Sequence, residues 1–74
     1  MTPEKAKEII KELGLTGLEF SSLMGKNQNY VSDFNRYGVP ENIALILNLS
    51  KELIDKKTPK KRILEIFKTT RENP

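Results

Sequence analysis

Apolar residues recur along this chain at helical spacing, and no stretch alternates in the period-two manner of a strand. Ala6, Ile9, Ile10 and Leu13 form one face of a first helix predicted over 3–14, with Thr2 as N-cap, Pro3 at the first position and Gly14 as the stop. A second helix, 16–24, opens on Thr16-Gly17-Leu18-Glu19, which has capping-box spacing, and carries Phe20, Leu23 and Met24 inward before Gly25 breaks it. A third is predicted over 27–36, with Asn27 as cap and Tyr30, Val31 and Phe34 as apolar positions. A fourth, 40–56, has apolar residues over a wide arc, which calls for packing on two sides. A fifth, 59–70, is recapped by Thr58-Pro59 and lined by Ile63, Leu64, Ile66 and Phe67, with the tail beyond Thr70 expected to fray. The expectation is an all-α, compact five-helix fold, with residues 1–74 as a single domain.

Composition narrows what such a fold can be. The chain has 74 residues and neither Cys nor His, so disulfides and the common zinc sites are excluded. A core this small relies on good helix packing or self-association. No cofactor, metal or small-molecule substrate is expected, and an enzyme is disfavoured: there is no phosphate-binding glycine loop and little room for a pocket of ~300 Å³. No apolar run approaches the ~20 residues of a membrane span. The start of the chain lacks a signal-peptide hydrophobic region, and the absence of Cys suits a cytoplasmic setting.

The net charge is +3, from 13 basic and 10 acidic residues. Charges cancel within 1–14, 15–40 and 41–57, so the excess lies beyond residue 57. The densest basic run is Lys56, Lys57, Lys60, Lys61 and Arg62. A modest basic excess fits nucleic-acid binding and fits an ordinary solvated surface equally.

Two short helices joined by a glycine turn are the signature of a helix-turn-helix. Such a pair needs a small residue where the helices cross, a residue tolerant of positive φ at the turn, apolar residues inside the second helix and short polar residues outside it. Ser21 and Gly25 meet the first two needs. Val31 and Phe34 meet the third, and Asn27, Gln28, Asn29, Ser32 and Asp33 the fourth. Asn and Gln can each contact adenine with a donor and an acceptor together. Gln28, Asn29 and Ser32 are therefore the candidate base readers. Asp33 shares their face; it either accepts from cytosine N4 or, as the better fit, pairs with Arg36.

The stretch LTGLEFSSLMGKNQNYVSDFNRYG resembles the helix-turn-helix of the lambda repressor and Cro class, the xenobiotic-response-element family of bacterial and phage regulators. The resemblance covers roughly residues 3 to 56, with the helix-turn-helix at about 16–36. It rests on Thr16, the Ser21/Gly25 spacing and the run Tyr30-Val31-Ser32. It departs at Gly17, where that family commonly has Gln, and at Lys26, where it has an aliphatic residue. The resemblance implies a sequence-specific regulator of double-stranded DNA, a repressor on a palindromic operator. It implies phosphate contacts around Thr16, Lys26, Asn27, Tyr30, Arg36 and Tyr37, although Tyr30 also suits a core position. It further implies a homodimer, for which Leu49, Ile63, Ile66 and Phe67 are candidate contacts or else closers of the monomer core. The competing reading is a helical protein-interaction module, an antitoxin or adaptor that keeps the fold without reading an operator. The near-zero charge of residues 15–40 favours it, because phosphate neutralisation supplies much of DNA affinity.

Overall fold

Local hydrogen bonds account for where the first two helices begin. The Thr2 hydroxyl accepts from the Lys5 amide at 3.2 Å and starts α1, Pro3–Glu12. At α2, Gly17–Leu23, the Thr16 hydroxyl accepts from the Glu19 amide at 3.1 Å, and the Glu19 carboxylate accepts from the Thr16 amide at 2.9 Å. Both capping oxygens of the predicted box are thus used. Three further helices follow: α3, Phe34–Tyr37; α4, Glu41–Asp55; and α5, Lys60–Glu72. This computed structural model describes residues 1–72. Among them there is no strand, and no helix is long and apolar enough to cross a membrane.

Three helix ends share one closure. After α1, the Leu15 amide donates to the Ile10 carbonyl and the Gly14 amide to Lys11. After α2, Lys26 donates to Ser21 and Gly25 to Ser22; after α4, Thr58 donates to Leu53 and Lys57 to Ile54. This is the Schellman pattern, and it requires a left-handed residue at the turn. Gly14 (φ 79°) and Gly25 (φ 69°) supply it without a Cβ penalty, whereas Lys57 (φ 62°) carries one.

The core lies where α1 meets α4. Ala6, Ile9, Ile10 and Leu13 of α1 are buried with Ile43 and Leu47 of α4, Phe20 of α2, Val31, Phe34 and Ile63. Outside this apolar contact, the Lys51 ammonium bonds Glu12 at 2.8 Å and approaches Asp55 at 3.4 Å, tying α1 to α4. The hydrogen bond to Glu12, more than the neighbouring charges, raises the Lys51 pKa above its ordinary value. α4 packs against both α1 and α5, as its wide apolar arc predicts. Leu45 (61% exposed) and Leu49 (59%) nevertheless face outward.

Four of the five predicted helices form within two residues of their expected bounds, and the third does not. Instead of a helix over 27–36, the chain runs through successive turns from Gln28 to Asp33 and becomes α-helical only at Phe34. The fifth helix continues to Glu72, past the point where fraying was expected.

Candidate nucleic-acid interface

The hydrogen-bond ladder between Asn27 and Gly38 explains the irregular third element. Tyr30 donates to Asn27, Phe34 to Val31, Asn35 to Ser32 and Arg36 to Asp33, all three residues back. Asp33 donates to Asn29, and Tyr37 to Asp33, four residues back. Side chains intervene: the Asn27 Oδ1 accepts from the Asn29 amide at 2.9 Å, and the Ser32 hydroxyl donates to the Asn29 carbonyl at 2.9 Å. Short polar residues offer the backbone these local alternatives to a regular helix.

Tertiary anchors hold the segment in place. Val31 and Phe34 are buried in the core, and the Tyr30 ring meets Phe34 edge-on at 5.3 Å between centroids. Ser21, fully buried, bonds its own helix by donating to the Gly17 carbonyl at 2.9 Å. The segment packs on the start of α2 at Gly17, where a Cβ would stand 3.4 Å from the Val31 side chain, in ordinary van der Waals contact.

The polar side chains left outside form one surface. Asn27, Gln28, Asn29 and Ser32 are exposed, and Asp33 is half-buried. Neither Gln28 nor Asn29 spends its side-chain amide on another group among the described residues. Asn27 uses its oxygen internally and retains its two N–H donors; Ser32 uses its proton and retains its lone pairs. The Thr16 hydroxyl accepts within the capping box, so its proton remains for an outside acceptor.

Cations bracket Gln28. On one side a cleft of about 650 Å³, where the short chain was expected to leave little room for a pocket of ~300 Å³, brings Lys7 and Lys11 of α1 together with Thr16, Gln28 and Ser32. On the other a cleft of about 420 Å³ joins Gln28 to Lys26 and the Ser21–Ser22 edge of α2. The Lys26 ammonium stands 5.7 Å from the Tyr30 ring centroid, within cation–π range. Partial burial raises the Tyr30 pKa, so its hydroxyl stays a donor at neutral pH. Leu18, 62% exposed, lines both clefts.

One expectation needs correction here. Asp33 makes no ion pair with Arg36; instead the Arg36 guanidinium lies over the Tyr37 ring at 5.6 Å, and Asp33 meets Arg36 only through its backbone carbonyl. Of the candidate contacts between copies, Ile63 is 1% exposed and closes the core, the alternative left open for it, whereas Leu49 and Ile66 (40%) are exposed and Phe67 is half-buried. Lys7, Lys11 and Leu18 were not anticipated as site residues. Cancelling charge within 1–14 hid the lysines, although their spacing of four residues puts them on one side of α1. The basic run 56–62 does not gather at this surface. Lys56 lines a separate groove, Lys60 lies beside Gly14, and Arg62 pairs with Glu65 at 3.6 Å. No protein-family model, curated protein or solved structure matches the chain.

Proposed function

We propose that this chain is a sequence-specific double-stranded-DNA-binding regulator of the helix-turn-helix kind, a non-enzymatic repressor that acts by occupying its operator. α2 is the brace and residues 27–37 are the reading element. The observation that carries the reading is the free pair of amides on Gln28 and Asn29, exposed between lysines while Val31 and Phe34 anchor the same segment in the core. Each amide matches the N6 donor and N7 acceptor of adenine; guanine offers two acceptors there and suits Arg or Lys. Ser32, left with lone pairs, suits an exocyclic amine, and the exposed Leu18 suits a thymine methyl. Lys7, Lys11 and Lys26, the Thr16 hydroxyl, the Asn27 amide, the Tyr30 hydroxyl, Arg36 and Tyr37 are the phosphate contacts. Lys7 and Lys11 supply the positive charge that residues 15–40 lack by themselves.

Reading elements of this class dock in pairs about 34 Å apart on one face of the duplex, so a palindromic operator and two copies of the chain are expected. Selection from random duplexes tests the proposal. It should enrich a palindrome whose half-site contains at least one A·T pair. On that site, Lys26→Ala and Arg36→Ala should each lower the slope of log affinity against log salt by about one. Failure to enrich any duplex would favour the protein-interaction module.

A further inference from the structure

α4 presents an outward stripe with an unusual symmetry. At about 100° per residue, Asn42, Leu45, Leu49, Leu53 and Lys56 all fall within about 40° of the Leu49 direction. Their spacing of three, four, four and three residues reads the same in both directions. Leu45 and Leu49 are 61% and 59% exposed, Leu53 is half-buried, and the polar ends Asn42 and Lys56 are exposed. Beside the stripe runs an apolar groove of about 740 Å³, floored by Ile63 and walled by Ile66 and Phe67 of α5, with Leu49 and Leu53 at its edge.

We infer that this stripe and groove bind the same face of a second copy of the chain, with the two α4 helices antiparallel and a two-fold axis at Leu49. This names the interface of the two-copy reading above, and it stands on different residues from the DNA-contacting surface. In that register Leu49 meets Leu49, and Leu45 of each copy lies over Leu53 of the other, at the mouth of the groove beside Ile66. Asn42 meets Lys56, and Glu52, which also lines the groove, comes within one residue of the level of Leu45 of the other copy.

Charge supports this occupant over an unrelated apolar partner. Glu41 sits in the first turn of α4 and Lys56 caps its end, both on the same flank of the stripe. An antiparallel two-fold brings like flanks together. Glu41 of one copy then lies within one residue, about 1.5 Å along the axis, of the level of Lys56 of the other. The pair occurs twice, at the polar rim of an apolar centre, which is the usual anatomy of an interface. A parallel pairing would instead put Lys56 level with Lys56 and Glu41 level with Glu41 on opposite flanks, so neither charge would have an opposite partner.

The test is made on the full chain without DNA. Sedimentation across a concentration series should show a reversible dimer. Leu49→Asp puts two carboxylates on the axis and should raise the dissociation constant by ~10-fold or more. Its circular dichroism should be unchanged, because Leu49 is largely exposed. The chain has no cysteine, so Leu49→Cys should be joined to itself by a short bismaleimide, while Leu18→Cys should not. A wild-type chain that stays monomeric, or a dimer indifferent to Leu49→Asp, overturns the interface. If that monomer still binds the selected duplex, only the interface fails; a dimer that binds no duplex leaves the interface standing and removes the DNA reading.

Discussion

α2 and the segment 27–37 lie side by side, yet opposite means stabilise them. α2 is only seven residues long, but its ends are closed locally by the Thr16–Glu19 box at the start and the Gly25 turn at the exit. The segment has almost no regular helix. It alternates three- and four-residue hydrogen bonds and owes its position to Tyr30, Val31 and Phe34. One element is shaped by its own backbone and caps, the other by what it is anchored to. A surface made of several short amides is poor in helix formers, so its order comes from the core. Regularity is lost where polar side chains bond the local backbone, and the capped neighbour stands against that irregular stretch.

Removing an anchor should therefore have the largest effect. Phe34→Ala empties a fully buried ring site and should cost ~3–5 kcal/mol of unfolding free energy. That is most of what a domain of this size has, so urea titration should find the variant largely unfolded. Thr16→Ala removes a cap and should cost only about 1 kcal/mol by the same titration. A Thr16→Ala loss as large as that of Phe34→Ala would break the contrast, because α2 would then depend on its cap as heavily as the segment depends on its anchor.

The helix exits give a finer version of the same comparison. Gly25 and Lys57 occupy the same left-handed position of the same turn, after α2 and α4 respectively. Lys57→Gly should remove the Cβ penalty and stabilise the chain by about 0.5–1 kcal/mol, while Gly25→Ala should destabilise it by a similar amount. Thermal melts of the two variants should shift in opposite directions. If Lys57→Gly melts lower than wild type, side-chain packing of Lys57 outweighs its backbone strain.

Most of the architecture is legible in the chain because its punctuation is explicit. Thr2-Pro3, the Thr16 box, Gly14 and Gly25 mark helix ends through chemistry that involves only neighbouring residues. The third helix is shorter than its predicted span for a physical reason. Asn27, Asn29 and Ser32 are the residues that suggest a reading face, and they are also the ones whose side chains replace the helical ladder. The left-handed Lys57 carries no glycine to announce it. Lys7 and Lys11 looked like part of a balanced, solvated face, and only the packing of α1 beside α2 brings them to the Gln28 cleft. Asp33 and Arg36 have a spacing that allows a pair, but the adjacent Tyr37 ring takes the guanidinium instead.

In the proposed function the segment reads bases through amides that the fold leaves free. The most direct measurement is the affinity of wild type and Gln28→Ala for the selected duplex and for random duplex at one fixed salt concentration. Gln28 is exposed and makes no side-chain bond among the described residues, so stability should be unchanged. Base reading by Gln28 should show as a loss of roughly 1–3 kcal/mol on the selected duplex and much less on random DNA. An equal loss on both would contradict it, showing that Gln28 contacts only phosphate or water and that any specificity comes from DNA shape.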